Sequence, residues 1–341
     1  MKIDSSYDGA SIDIIKTDDS NNFIVLSPKR ENNMYSNYFN FTIINNNVQG
    51  KIYIKNLDKL MYNNQIPNIY FKNNNEYQIL DKKRIKLNEN ELAIEIYKNE
   101  KIELSSYPRY TLNDLNTFMN KINDKGIQYN NKIIPEIIIG NSNNNSIVII
   151  ARQHPGETAS SYFIEGIIKG IIDNSEIIES NKIIIFPIVN TKGVKEGNHR
   201  YTDEIDYNRI WNTNGIVKEV DYVKNKISEN KIKKFVDIHC DEISRIDYIR
   251  SNNRQYKTIA GIKVLEDHSK LIRFLRALIK QRKIINISNQ SAREYISKKY
   301  KCESILVELS LKEIEKEKRI KQGYNFIKEI TKKWEIIWKQ Y

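Results

Sequence analysis

The chain has 341 residues, of which 40% are hydrophobic, and a formal net charge of +12; that is enough apolar material for one large domain or two. Lys is spread through the chain with abundant Asn and Ile, and no arginine-rich arm or aromatic-interleaved basic stripe occurs, so the basicity reads as compositional bias that can steer acidic substrates, and nucleic acid is not an expected partner. The segment Met1-Lys2-Ile3-Asp4-Ser5-Ser6 lacks the apolar core of a signal peptide, no run is long enough to cross a bilayer, and Cys240 and Cys302 are the only cysteines, so the expected setting is the reducing cytoplasm, without a membrane or a disulfide framework.

Residues up to about Leu104 read as β. Ser11 to Lys16, Phe23 to Leu26, Tyr38 to Ile44, Lys51 to Lys55, Ile69 to Lys72 and Leu92 to Tyr97 are short β-branched or aromatic runs separated by Asn, Asp, Gly and Pro, the pattern of an antiparallel sandwich. The Asn tracts Asn45 to Asn47 and Asn73 to Asn75 read as turns. Near Tyr107-Pro108-Arg109-Tyr110-Thr111 the pattern changes, with Thr111 a cap for a helix over Leu112 to Ile122. Two domains are therefore expected, a β-sandwich over 1–105 and an α/β domain over 106–341. In the second, Ile133 to Ile139, Ile147 to Ile150, Ile183 to Val189 and Phe235 to Ile238 are near-continuous apolar strands, as in a mixed, largely parallel sheet flanked by helices. Ser160 to Ile172, Leu271 to Ile279 and Glu315 to Trp338 read as helices, Ser304 to Leu309 as a late strand, and Trp334 and Trp338 as packing on the sheet.

One junction concentrates polar chemistry. The run Ile147 to Ala151 stops at Arg152-Gln153-His154-Pro155-Gly156-Glu157-Thr158, where a histidine and a glutamate sit three positions apart. Imidazole with carboxylate is a ligand pair that suits zinc. Pro155 and Gly156 form a tight turn before a helix that Thr158 or a neighbour would cap. The pattern alone equally fits a surface His and Glu at a helix start. Of the other histidines, His199, His239 and His268, the second ends Phe235-Val236-Asp237-Ile238-His239, another strand with a polar terminus. Strand-end histidines can meet at the carboxyl edge of a parallel sheet. His154, Glu157 and His239 then supply three protein ligands, the number typical of a catalytic zinc that keeps a position for water.

These residues, with Gly197-Asn198-His199-Arg200, Asp206-Tyr207-Asn208-Arg209-Ile210-Trp211 and Val307-Glu308-Leu309-Ser310, resemble in order the motifs of the zinc metallocarboxypeptidases. The His-Pro-Gly-Glu-Thr form is similar to the cytosolic carboxypeptidase branch, and Tyr38-Phe39-Asn40-Phe41-Thr42-Ile43 resembles an aromatic core strand of the small β-domain that precedes its catalytic domain. The resemblance implies one zinc ion per chain on His154, Glu157 and His239. It implies Glu308 as general base and then proton donor; a lone carboxylate in the apolar strand Ile305 to Leu309 already costs several kcal/mol unless paired, protonated or turned into a cavity. Arg200 is implied as a donor to the oxyanion, and Asn208 with Arg209 as the grip on a free C-terminal carboxylate. Ser291-Ala292-Arg293 looks like the segment from which this branch selects acidic terminal residues, which makes Arg293 the expected selector. His199 is not carried over as a ligand, and His268 is expected on the surface.

Three departures stand out. Cys240 replaces the glycine that many relatives carry after the last ligand, and it reads as a small buried residue. The following Asp241-Glu242 is similar to a bacterial subset, and no tyrosine that would lie over the substrate can be picked out. The expected protein hydrolyses a C-terminal residue, with acidic side chains the class Arg293 would select, and its expected partner is a peptide or protein C-terminus. A zinc amidohydrolase of small N-acyl amino acids or cell-wall peptides, and a non-catalytic binding protein, stay open as alternatives.

Overall fold

The computed structural model describes the chain except residues 47, 58–64, 74–75, 90, 123–125, 141–145, 254–255, 266–289, 313 and 339–341. The helix expected over Leu271 to Ile279, His268, and the side chains of Trp334 and Trp338 lie outside the described part.

The N-terminal strands are β1 (Lys2–Asp4), β2 (Asp13–Asp18), β3 (Phe23–Ser27), β4 (Arg30–Glu31), β5 (Met34–Tyr35), β6 (Asn40–Ile44), β7 (Gly50–Ile54), β8 (Tyr70–Asn73), β9 (Glu76–Ile79), β10 (Ile85–Asn88), β11 (Glu91–Ile96) and β12 (Lys101–Ser105). They form two five-stranded sheets, ordered β1-β6-β12-β8-β9 and β10-β11-β7-β3-β2, with β4 and β5 as a separate ribbon. Apolar residues alternate along β6, β7 and β11, so Phe41 and Ile43 on one sheet and Ile52, Ile54, Leu92 and Ile94 on the other share one core. Phe39 and Phe41 are fully buried there, as the aromatic strand suggested. One pairing departs from the antiparallel expectation, since β3 runs parallel to β7.

The second part carries a nine-stranded sheet. Its strands are β13 (Ile127–Asn130), β14 (Glu136–Ile139), β15 (Ser146–Ala151), β16 (Lys182–Phe186), β17 (Ile232–Asp241), β18 (Tyr248–Ser251), β19 (Thr258–Ile259), β20 (Ile262–Leu265) and β21 (Glu303–Ser310), in the order β13-β14-β16-β15-β17-β21-β18-β20-β19. The central strands β16, β15, β17 and β21 are parallel, and β14 on one side and β18 on the other join antiparallel. The strand expected from Ile133 begins only at Glu136: Pro135 has no N–H to give a ladder, and Ile133 is exposed.

Helices cover both faces: α1 (Leu112–Ile122), α2 (Ala159–Ile172), α3 (Ser175–Ser180), α4 (Thr191–Glu196), α5 (Lys218–Ser228), α6 (Ala292–Tyr300) and α7 (Lys316–Trp338). Thr111 caps α1 as expected, its Oγ1 accepting from Asp114 N while Asp114 accepts from Thr111 N at 2.7 Å. Ile147, Ile149, Val236, Ile238 and Val307 face α2 and α7, whereas Val148, Ile150, Phe235 and Trp211 share a core with Val220 and Val223 of α5 and Ile296 of α6. Helices α2 and α7 cross so closely that a Cβ on Gly323 would lie 1.9 Å from the carbonyl oxygen of Phe163. Among the described residues no helix is long and apolar enough to cross a membrane.

Candidate metal centre

Register brings the polar residues together. Ala151 at the end of β15 pairs with Ile238 of β17, and His239 pairs with Glu308 of β21. All three strands run parallel, so their carboxyl ends and the turn after β15 form one edge. Residues 235, 237 and 239 alternate onto the face covered by α5 and α6, so His239 and its register partner Glu308 emerge on that face.

The turn after β15 is held from inside. Arg152 adopts φ +56°, a left-handed conformation that costs a non-glycine residue about 1 kcal/mol or more. Its buried guanidinium donates to Pro155 O at 2.9 Å, Ser161 Oγ at 2.7 Å and Tyr110 O at 3.2 Å, which clamps the residues carrying His154. Gly156 N donates to His199 O at 2.8 Å, and a Cβ at Gly156 would meet the His199 ring at 2.5 Å. Thr158 precedes α2 but makes no cap bond, and its Oγ1 is buried without a partner among the described residues. The expectation that it caps the helix is corrected: its own φ/ψ are helical, unlike the extended backbone an N-cap side chain needs.

His154, Glu157 and His239 are all buried, each offering one ligand atom within 4.8 Å of the others. His154 Nδ1 and His239 Nδ1 meet the two oxygens of Glu157, at 2.7 and 3.0 Å. Behind them, His154 Nε2 faces Asp206 Oδ1 and His239 Nε2 faces Asp237 Oδ1, each at 3.1 Å. Each imidazole thus has carboxylates on both nitrogens. A neutral imidazole has one proton for two acceptors, so this arrangement calls for a second cation, a proton or a metal, at each Nδ1. Burial favours the neutral forms, yet the imidazoles hold the Glu157 carboxyl below its ordinary range, and Asp237 and Glu157 push His239 well above the usual histidine value. The donor set of two imidazole nitrogens and a carboxylate fits zinc.

Around this centre the other expected residues separate. Arg200 Nε and Nη2 both donate to Asp206 Oδ2, at 3.1 and 2.7 Å, beside His154. Asn208 does not turn its amide outward: Nδ2 lies 3.0 Å from His239 Nε2, and Oδ1 accepts from Ala292 N at 2.9 Å. Arg209, half-buried, donates Nη1 to Asn208 O at 2.6 Å. Arg293 reaches from the first turn of α6 to Ser304 Oγ at 3.3 Å, four residues before Glu308 in β21. His199 stays outside the ligand set, in contact through Nε2 with Glu242 Oε1. Cys240 is buried as expected, its Sγ 3.5 Å from Glu157 O.

Several participants were missed by the sequence reading. Gln153 donates to Asp237 Oδ1 at 2.9 Å and accepts from Trp211 Nε1 at 2.7 Å, which braces the support of His239. Asp206 and Asp237 lie in the same sequence motifs as Asn208 and His239, and their contacts with the two imidazoles arise only from the fold. Arg250 pairs in register with Leu306, two residues from Glu308, and Ile249 between Tyr248 and Arg250 faces the opposite core. Its side chain therefore shares the face of Glu308. It is 8% exposed, and among the described residues its Nε has no hydrogen-bond partner. Alternation within a strand of four residues, Tyr248–Ser251, is too brief to have signalled this.

No family model matches the chain. A 130-residue stretch, 35% of the chain, is 38% identical to a Plasmodium falciparum protein named "Putative zinc carboxypeptidase", and the match spans 8% of that protein's length. Among solved structures, a metallo-carboxypeptidase from Burkholderia cenocepacia superposes with a TM-score of 0.75 at 17% identity, covering 96% of each chain. A metallo-carboxypeptidase from Pseudomonas aeruginosa, in complex with (2-guanidinoethylmercapto)succinic acid, superposes with a TM-score of 0.71 at 15% identity, covering 96% of this chain and 97% of that one. The chain therefore has the metallocarboxypeptidase-like fold, including the preceding β-sheets.

Proposed function

We propose that the protein is a zinc-dependent metallocarboxypeptidase of the cytosolic type, releasing a C-terminal residue from peptides or proteins, with residues 1–105 as a β-sandwich domain and 106–341 as the catalytic domain. One observation carries the reading: two buried imidazoles turn Nδ1 onto opposite oxygens of Glu157, while Asp206 and Asp237 hold their Nε2 atoms. His154, Glu157 and His239 would hold the zinc, which supplies Lewis acidity and a lowered pKa for water.

The remaining roles belong to the chain. Glu308, half-buried beside His239, takes the proton of the attacking water and passes it to the leaving amine. Arg200, with one edge held by Asp206, offers N–H groups to the developing oxyanion. Because the Asn208 amide oxygen accepts from Ala292 N and its nitrogen lies against the His239 ring, its part is to fix that loop, and Arg209 is the cation for the terminal carboxylate. The two buried free cysteines support a reducing, cytoplasmic setting.

For the terminal side chain, acidic residues remain the proposed class, with Arg250 joining Arg293 as a selector. A buried guanidinium with an unsatisfied Nε is costly and would be relieved by a carboxylate. Substituting Arg250→Met is expected to collapse the ratio of kcat/KM for peptides ending in Glu over those ending in Gln by about a hundredfold. An unchanged ratio would remove Arg250 from selection.

A mass-spectrometric screen tests the whole reading: peptides ending in Glu, Asp, Gln, Lys or Phe, incubated with and without chelator. Chelator-sensitive loss of one terminal residue supports it. Hydrolysis confined to N-acyl amino acids would move the protein to the amidohydrolases.

A further inference from the structure

We propose that Glu31, in the β4–β5 ribbon of the N-terminal part, is a positioning residue for Arg200; this rests on the carboxypeptidase reading for its consequence, though not for its geometry. Glu31 Oε1 accepts from His199 N at 2.5 Å, and Oε2 accepts from Arg200 N at 2.8 Å and Tyr201 N at 2.9 Å. Three successive backbone N–H groups converging on one anion form a nest, a concavity that ordinarily collects an anionic ligand. Here the anion is the chain's own, from 168 residues or more away in sequence.

Glu31 is 9% exposed, and among the described residues no Lys or Arg forms an ion pair with it. A buried carboxylate without a cation is held by its hydrogen bonds, and bonds from N–H to an ionised acceptor are the stronger kind. The middle amide of the nest belongs to Arg200, whose guanidinium is fixed at its other end by Asp206, itself 3.1 Å from the ligand His154. Backbone and side chain of Arg200 are thus set by two carboxylates, one from each part of the chain. Misplacing a catalytic group by about 1 Å can cost on the order of a hundredfold in rate.

Docking of the two parts does not hang on Glu31 alone. Gly9 N donates to Lys195 O at 2.8 Å and Lys29 Nζ to Glu196 O at 3.3 Å, while Asn68 Nδ2 reaches Lys312 O at 3.1 Å. A neutral replacement can therefore loosen residues 199–201 while the sandwich stays docked.

The test compares Glu31→Gln and Glu31→Asp with the full-length wild type, on the peptide cleaved best in the screen. Expected for Glu31→Gln is a fall in kcat of about tenfold to a hundredfold with KM within about twofold, because the oxyanion contact strengthens only in the transition state. Glu31→Asp, which keeps the charge, should recover part of the loss. In an Arg200→Met background, Glu31→Gln should add less than about a twofold further loss, as expected of residues acting through one contact. An equal loss in both backgrounds, or an unchanged kcat, would overturn the assignment. Amide hydrogen exchange at His199, Arg200 and Tyr201 is read without turnover. Acceleration in Glu31→Gln is expected, and unchanged protection overturns the proposal. If no form of the protein trims a peptide while exchange still accelerates, the anchor stands and the carboxypeptidase reading falls.

Discussion

Glu308→Gln is expected to retain its metal and to lose turnover by about a thousandfold or more. The magnitude follows from general acid–base catalysis, typically about a hundredfold to ten-thousandfold, because this carboxylate handles a proton twice in the proposed cycle. The substitution preserves size and the strand ladder but removes the basic oxygen. Glu308 lies between His239 on one neighbouring strand and Tyr248 on the other, so an amide there meets the same surroundings. Metal content measured beside kcat separates the effects: full metal with lost kcat supports the proton role, and lost metal points to a disturbed centre. Activity within about tenfold of wild type would take Glu308 out of the mechanism.

His239→Ala should abolish both metal binding and hydrolysis, and it should also destabilise the fold. Its ring is 3% exposed and touches Glu157, Asp237, Asn208 and Gln153. Removing it leaves two buried carboxylates short of a partner, a loss of the kind that costs about 3–5 kcal/mol. Glu157 should then titrate closer to an ordinary carboxyl, because His239 is one of the groups holding it low. A lower melting temperature, absent zinc and no peptide trimming are the expected set. Full zinc binding in this variant would mean that the ion sits elsewhere.

What the sequence could and could not convey divides along contact range. The clustering of His154, Glu157 and His239 was legible because the first two stand in the turn after one apolar run and the third ends another, and strand ends in a parallel sheet converge. The buried strand Ile147 to Ile150 and the helix after it follow from apolar continuity, and the sandwich from short alternating runs. Helix α5 escaped because most of its residues are polar, although Val220, Val223 and Ile227 carry a helical spacing and are buried. The parallel pair β3–β7 was hidden, since alternation does not reveal strand direction. The residue type and motif of Asn208 suit an outward grip on a carboxylate, whereas its amide is turned inward, against the His239 ring and Ala292 N. Glu31 carries no local signal at all: a glutamate in a ribbon of two residues per strand acquires meaning only when the chain folds back to residues 199–201. Arg152 likewise carries no local sign of its left-handed backbone and buried guanidinium.

The most direct test of the central claim is a zinc titration of chelator-treated protein, with release of the C-terminal residue counted by mass spectrometry at each step. One equivalent of zinc per chain should restore trimming, and His239→Ala should take up no zinc and recover nothing. Trimming at full rate in the metal-free protein, or zinc uptake undiminished by His239→Ala, would contradict the assignment of His154, Glu157 and His239 as the centre of the reaction.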